Sequence, residues 1–219
     1  MMDFEITALK YAESTIAESA VIYGGRPEVR IPISFIVYLI KTEQSYILVD
    51  AGCTTMPGWE MKHFCSPAEI LKRTGVTPEA INHIILTHSH HDHIEAVYLF
   101  ENALVHIQED EYQQCTNKIP HSMKVNLFRD KYVIDGCVNI LRIGGHSVGS
   151  SVVKIGKYVI CGDECYSKIC LDKKIPTGST CNIENSIRFI EEYSKPEYKP
   201  LLCHDSIILP GQNGWLKIV

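Results

Sequence analysis

HSHHDH, residues 88–93, is the most informative segment of this sequence, and it holds four of the ten histidines. It follows the apolar run Ile81–Leu86, which has the length of a strand. A segment with a helical pattern then begins at about Asp92 and continues to Phe100. The chain is therefore expected to leave a sheet, turn sharply and enter a helix within these few residues.

This turn brings metal-binding side chains together. His88 and His90 are two positions apart in an extended segment, so they can point to the same side. Asp92 and His93 then project from the entrance of the helix toward the same volume. Imidazole and carboxylate groups form the ligand set that suits zinc and related divalent metals. The stretch therefore predicts a metal site rather than a polar loop that happens to be rich in histidine.

Length and composition restrict the kind of protein. The chain has 219 residues and a mass of 24.7 kDa, which fits one domain over residues 1–219. Hydrophobic residues make up 45% and charged residues 21%, as in an ordinary globular protein rather than a disordered chain. The formal net charge of −5 disfavours nucleic acid as a partner, because proteins that follow phosphate backbones carry a basic surface.

Neither a membrane nor a secreted location is expected. The longest apolar run, Ile31–Ile40, is too short to span a bilayer and contains Pro32. Asp3 and Glu5 stand where a signal peptide would carry positive charge. The nine cysteines are odd in number and form no CxxC pair, which favours reduced thiols over a disulfide framework. We therefore expect a cytoplasmic protein.

Strands and helices are mixed along the chain, which predicts a layered α/β fold. Ser34–Ile40 and Tyr46–Asp50 read as a hairpin. Ser66 precedes a proline and has a glutamate three residues later, which is typical of a helix start. Asn182 can cap a later helix that continues to Tyr193.

Several sequence blocks in order resemble the metallo-β-lactamase superfamily. HSHHDH matches its HxHxDH signature, and Gly144-Gly145-His146-Ser147 resembles its third-histidine loop. Gly162-Asp163 resembles its bridging aspartate, and Cys203-His204-Asp205 resembles its final histidine. With Asp50 on an early strand, the resemblance extends from Asp50 to His204, nearly the whole chain.

The resemblance implies an αββα sandwich with a dinuclear metal site at the sheet edge. The first metal would be held by His88, His90 and His146, and the second by Asp92, His93 and His204. Asp163 would bridge the two. Zinc is favoured, with manganese, iron and cobalt as alternatives. Asp50 would either orient a ligand histidine or cap a turn before Gly52.

The position of Tyr166 indicates which class of substrate the protein acts on. It stands three residues after Asp163, a spacing that resembles N-acyl-homoserine lactonases, and a phenol there can donate to a developing oxyanion. The implied activity is hydrolysis of a lactone or related ester, a small-molecule substrate, by a metal-bridging hydroxide, with Asp163 passing a proton to the leaving alkoxide. Two positions depart from the family pattern: His91 where lactonases are often apolar, and Glu95 where a small residue is usual.

Other readings of the same motif stay open. A thioester hydrolase resembling glyoxalase II shares the metal motif, although it usually needs more sequence after the final histidine than this chain has. A flavodiiron-like redox module is disfavoured because His90 stands where those proteins place a glutamate. A non-catalytic metal-binding or sensing protein of the same fold is a third alternative. The sequence does not indicate an oligomeric state.

Overall fold

A computed structural model describes residues 3–206 and 214–219 of the chain. Strands and helices alternate along these ranges. The strands are β1 Phe4–Ala17, β2 Arg30–Thr42, β3 Tyr46–Val49, β4 His83–Ile85, β5 Leu104–Gln108, β6 Val125–Phe128, β7 Lys131–Ile134, β8 Val138–Arg142, β9 Ser151–Ile155, β10 Tyr158–Ile160, β11 Lys199–Leu201 and β12 Gly214–Lys217. The helices are α1 Glu18–Val21, α2 Pro67–Lys72, α3 His91–Ile94, α4 Glu109–Tyr112, α5 Lys168–Lys173 and α6 Ile183–Tyr193.

The strands of the described residues form two sheets. The larger has the order β12-β1-β2-β3-β4-β5-β6, and the smaller has the order β11-β10-β9-β8-β7. In the larger sheet β3, β4, β5 and β6 run parallel to one another. Because the carboxyl ends of parallel strands meet at one edge of a sheet, the segments after β3, β4 and β5 emerge side by side.

The two sheets are joined at this same edge. The amide of Ser151, at the start of β9, donates to the carbonyl of Thr87 after β4 at 2.8 Å. The amides of Ser34 and Ile36 in β2 donate to the carbonyls of His204 and Cys203, which follow β11. These backbone bonds bring the loops of both sheets together over one small volume.

Apolar side chains fill three layers. One cluster, which includes Ile36, Tyr38, Val153 and Ile160, is packed between the sheets. A second lies on the outer face of the larger sheet and includes residues of α2, and a third packs the smaller sheet against α5 and α6. The predicted αββα layering is therefore confirmed. In the described ranges, no helix combines the length and the apolar character that crossing a lipid bilayer requires.

Local signals predicted the helix starts well. The hydroxyl of Ser66 accepts from the amide of Glu69 at 3.3 Å, and the Asn182 side chain accepts from the amide of Asn185 at 3.1 Å. The predicted ends of the helices and strands were less accurate. The predicted helix from Asp92 to Phe100 is α3 followed by a 3₁₀ segment, Glu95–Leu99.

Tertiary hydrogen bonds cause this change of helix type. The amide of Ala96 donates to the carbonyl of Gly52 at 3.0 Å, and the carbonyl of Asp92 accepts from the hydroxyl of Tyr11 at 3.0 Å. The i to i−4 bond that would continue an α-helix through these two groups is therefore replaced.

Candidate metal centre

Three histidines form what we call the first cluster: His88, His90 and His146. Nε2 of His88 lies 3.0 Å from Nδ1 of His90, and Nε2 of His146 lies 2.9 Å from the same atom. His88 and His90 come from the loop after β4, and His146 comes from the loop between β8 and β9. Residues that are 56 or more positions apart in sequence thus meet at one point.

Asp92, His93 and His204 form the second cluster. Nε2 of His93 lies 3.6 Å from Oδ2 of Asp92, and Nε2 of His204 lies 3.5 Å from the same oxygen. Asp163 stands between the clusters. Its Oδ1 is 3.0 Å from His93 Nε2 and 3.1 Å from His204 Nε2.

The other oxygen of Asp163 faces the first cluster. Oδ2 lies 3.6 Å from Nε2 of His88 and 3.5 Å from Nε2 of His146. One carboxylate therefore presents a separate oxygen to each cluster. The structure brings together all seven residues that the sequence predicted as ligands, in the two groups that the resemblance implied.

Asp50 determines how two of these histidines are oriented. It follows β3 with a positive φ of 62°, and its Oδ2 accepts from Nδ1 of His93 at 2.8 Å. The same carboxylate accepts from the amide and the hydroxyl of Thr87, at 2.8 and 2.9 Å. Since the Thr87 hydroxyl donates to Asp50, its oxygen is left to accept from Nδ1 of His88, 3.1 Å away. Of the two roles considered for Asp50, the structure supports the orienting one.

Backbone carbonyls orient two further histidines. Nδ1 of His146 donates to the carbonyl of Ser179 at 2.5 Å, and Nδ1 of His204 donates to the carbonyl of Ser34 at 2.9 Å. A neutral imidazole that donates through Nδ1 carries a lone pair on Nε2. The lone pairs of these rings, and those of His88 and His93, are thereby directed into the space around Asp163.

These residues fit a pair of divalent metal ions. Nε2 of His93, Nε2 of His204 and Oδ1 of Asp163 are buried and have no hydrogen-bond partner, although both nitrogens lie within 3.1 Å of that oxygen. Buried polar atoms are rarely left in this state, and a shared cation would satisfy all three. Tetrahedral zinc–nitrogen coordination separates donor atoms by about 3.3 Å, close to the spacing within each cluster.

The two clusters differ in charge before an ion binds. Burial, with the neighbouring His93, lowers the pKa of His88 well below its ordinary value, and burial also lowers the pKa of His90. Burial acts in the same direction on His93, but Asp163 and Asp50 outweigh it and raise its pKa well above the ordinary value. His88 and His90 therefore offer neutral imidazoles, whereas an ion entering the second cluster must displace a proton from His93.

Tyr166 lies beside both clusters. Its ring stacks on the ring of His204, with centroids 4.8 Å apart and planes 22° apart, and meets the ring of His146 edge-on at 6.1 Å. The side chain is buried, and burial, followed by the charge of Asp163, raises the pKa of its hydroxyl well above 10. The phenol therefore stays protonated and can act as a hydrogen-bond donor.

His91 and Glu95, which depart from the family pattern, bond to the loop after β3 and not to the two clusters. Nε2 of His91 donates to the carbonyl of Thr55 at 2.7 Å, so His91 lies outside both clusters. The carboxylate of Glu95 accepts from the amide of Thr54 at 2.6 Å and from its hydroxyl. Both side chains hold the loop after β3 against the loop of the HxHxDH motif.

Two buried glutamates were missed from the sequence. Glu164 accepts from the amides of Gly145 and His146 at 3.1 and 3.2 Å. Glu111 bonds to two of the loops that carry ligands. Glu164 directly follows Asp163, and this position was the one feature of the sequence that could have indicated a role near the site. Glu111 lies in an acidic stretch, a pattern that is typical of an exposed helix.

Comparisons with known proteins agree with this geometry. Residues 37–109 match the family model described as the metallo-beta-lactamase superfamily. This match covers the second half of β2, all of β3, the whole HxHxDH motif and β5. The fold is that of the metallo-β-lactamase superfamily. The resemblance predicted from the sequence is therefore confirmed.

Two curated proteins to which this chain is similar are named as hydrolases. The N-acyl homoserine lactonase AiiA of Bacillus thuringiensis subsp. kurstaki is 26% identical over 196 residues, which span 75% of this chain and 78% of that protein. The hydroxyacylglutathione hydrolase of Wigglesworthia glossinidia brevipalpis is 26% identical over 140 residues, which span 63% of this chain and 49% of that protein.

Solved structures share the fold over almost the full chain. A quorum-quenching N-acyl homoserine lactone hydrolase superimposes with a TM-score of 0.80 at 22% identity, over 94% of each chain. AidC, a dizinc quorum-quenching lactonase, superimposes with a TM-score of 0.73 at 16% identity, over 98% of this chain and 94% of that one.

Proposed function

We propose that this protein is a metal-dependent hydrolase that opens a lactone, or cleaves a related ester, with two divalent ions bound by the two clusters. The observation that carries the proposal is the position of Asp163, which presents one oxygen to each cluster at 3.0 to 3.6 Å. The first ion would be held by His88, His90 and His146. The second would be held by Asp92, His93 and His204, with Asp163 shared.

Zinc is the proposed metal, and manganese, iron and cobalt are alternatives for the same donor set. When bound, a pair of such ions supplies Lewis acidity and activates a water molecule at neutral pH. AidC, which shares the fold, is described as a dizinc enzyme, and this supports zinc here.

Tyr166 is proposed to donate a hydrogen bond to the substrate carbonyl. Its hydroxyl is protonated, and its ring is held between His204 and His146 at the border of the two clusters. A donor fixed in advance in a buried site stabilises the negative charge that develops on the carbonyl oxygen.

Asp163 is proposed to carry the proton of the attacking water to the departing alkoxide. Burial raises its pKa, but His93 and His204 outweigh burial and hold it well below its ordinary range. Such a weakly basic carboxylate would hold a proton only in transit. In the net reaction, water oxygen bonds to the carbonyl carbon, the ring C–O bond breaks, and the alkoxide receives the proton to give a hydroxy acid.

A small-molecule lactone is favoured over other substrates by the relatives. Several of them are named N-acyl homoserine lactonases and are aligned over three quarters of this chain. A thioester is the second candidate, because the hydroxyacylglutathione hydrolase is also similar, although over less of its length. The two candidates share the proposed metal centre and differ in the leaving group, an alkoxide or a thiolate.

A proton-release assay on zinc-reconstituted protein tests the proposal. The substrates are γ-lactones with acyl chains of increasing length, acyl thioesters of glutathione and β-lactams, with metal-stripped protein as the blank. We expect metal-dependent opening of lactones. Turnover of thioesters alone would replace the lactonase proposal with the thioesterase, and no turnover with both ions bound would contradict both.

Two adjacent histidines provide a matched control. His90→Ala removes a member of the first cluster and should abolish turnover. His91→Ala removes the neighbouring imidazole, which bonds to the Thr55 carbonyl, and should leave most of the activity. Equal activity in the two variants would refute the assignment of His90 as a ligand.

A further inference from the structure

The buried side chain of Glu111 links two loops that carry the first cluster. Glu111 lies in α4, the short helix after β5, and is 2% exposed. The carbonyl oxygen of the Gln108 side chain accepts from its backbone amide at 3.1 Å, which fixes the start of the helix. The Glu111 carboxylate is thereby aimed away from solvent and toward the metal centre.

Each oxygen of this carboxylate serves a different loop. Oε1 accepts from the amide and the hydroxyl of Ser89, at 2.9 and 2.6 Å. Oε2 accepts from the hydroxyl of Ser147 at 2.8 Å and from the amide of Gly149 at 2.9 Å. Ser89 stands between His88 and His90, and Ser147 directly follows His146. One carboxylate thus spans the two segments that supply all three histidines.

The packing leaves little room for these loops to move apart or rotate. A Cβ atom on Gly149 would lie 2.1 Å from Oε1 of Gln108 and 2.8 Å from Cβ of Glu111. The loop after His146 therefore lies directly against the start of α4. Lys118 adds a bond on the other side, since its ammonium donates to the carbonyl of Ser89 at 2.8 Å.

We propose that Glu111 is a positioning residue that sets the separation of the His88–His90 loop from the His146 loop, and so determines metal affinity at the first cluster. The inference rests on the metal centre of the proposed function but not on its substrate. Glu111 bonds the HxHxDH turn, which also supplies Asp92 and His93 of the second cluster. It bonds no other segment that supplies the second cluster.

Glu111→Gln tests this role with little change of shape. The amide oxygen can still accept from Ser89, but the amide nitrogen then faces the N–H of Gly149, so a buried donor loses its acceptor. Glu109→Gln is the matched control, because Glu109 stands in the same helical turn and pairs with the exposed Arg129. Zinc affinities are measured by competition with a chromophoric chelator, which yields a stepwise constant for each site.

We expect Glu111→Gln to weaken zinc binding at the first cluster by about 10-fold or more, the range seen when groups that orient ligands are changed. Binding at the second cluster and both constants of Glu109→Gln should stay at parent values. The sites are assigned with His204→Ala, which removes a member of the second cluster. Equal weakening at both sites, or no weakening at either, would overturn the proposal.

Ser147→Ala separates positioning from charge and also serves if Glu111→Gln fails to fold. It removes one hydrogen bond of Glu111 and leaves the carboxylate ionised. Positioning predicts a smaller loss at the first cluster in this variant, whereas a purely electrostatic effect of Glu111 predicts none and would overturn the proposal. Parent protein that binds zinc but opens no lactone would refute the proposed function alone, and parent protein that binds no zinc would refute both.

Discussion

Asp50→Asn is the substitution for which the structure predicts the most specific result. Asp50 has a φ of 62°, a backbone conformation that asparagine tolerates as well as aspartate does. The change therefore keeps the shape of the side chain. With its oxygen still accepting from the Thr87 amide at the Oδ1 position, the new amide nitrogen occupies the Oδ2 position, where it faces Nδ1 of His93.

Two donors cannot share that contact, so His93 must move its proton from Nδ1 to Nε2. Nε2 is the atom that faces Oδ1 of Asp163 at 3.0 Å, and a protonated nitrogen cannot bind a metal ion. A hydrogen bond to a charged acceptor contributes about 1.5–3 kcal/mol. Its loss corresponds to about 10–100-fold weaker metal binding, the range found for partners of ligand histidines.

Zinc competition measures this loss, and the imidazole ¹⁵N shifts of His93 report its tautomer. We expect the constant of the second cluster to fall further than that of the first cluster, which Asp50 reaches only through the Thr87 hydroxyl. Asp135→Asn is the control, because Asp135 also has a positive φ, of 51°, and accepts from the hydroxyls of Thr42 and Ser45 away from the centre. Parent-like affinity at both sites in Asp50→Asn would refute the orienting role of Asp50.

Three other substitutions test separate parts of the account. Tyr166→Phe keeps the ring on His204, so zinc content should be unchanged while kcat for lactone opening falls about 100-fold, as for loss of one oxyanion donor; an unchanged kcat would remove Tyr166 from the reaction. Burial, with His83, lowers the pKa of His106 to about 4 in the folded state. In the unfolded chain the same imidazole becomes protonated near pH 6.5, so protons bind preferentially to the unfolded state between these two values. Stability present above pH 6.5 is therefore lost as the pH falls toward 4, by up to about 1.4 kcal/mol per pH unit. Urea unfolding of His106→Asn should show about 2 kcal/mol less loss between roughly pH 7 and pH 5 than the parent, and an equal loss would contradict this. Gly149→Ala forces a Cβ against Gln108 and should lower the melting temperature by about 5 °C, because overpacking costs about 1–3 kcal/mol; an unchanged melting temperature would show that the loop can shift.

The residues of the two clusters could be predicted because their chemistry is local and unusual. Four histidines and an aspartate within six residues have few roles other than metal binding, and the later blocks follow in a fixed order. The helix starts at Ser66 and Asn182 were predictable for a similar reason, since a capping side chain bonds to an amide only three residues away.

Long-range pairing could not be predicted in the same way. β12 lies at the far end of the chain and pairs with β1, although its exposed Trp215 and Leu216 give no alternating pattern. β6 was missed because Asn126 and Leu127 are respectively half-buried and exposed, and the strand is defined by its pairing with β5. Glu111 was missed because burial of one acid among three depends on loops that are distant in sequence.

The number of zinc ions bound per chain tests whether the two clusters bind metal. Protein is dialysed against zinc, freed of loosely bound metal and analysed by mass spectrometry for metal and peptide content. The two clusters predict two zinc ions per chain for the parent and a loss of one in His90→Ala. Parent protein that retains no zinc, or a His90→Ala variant that retains as much as the parent, would contradict the account.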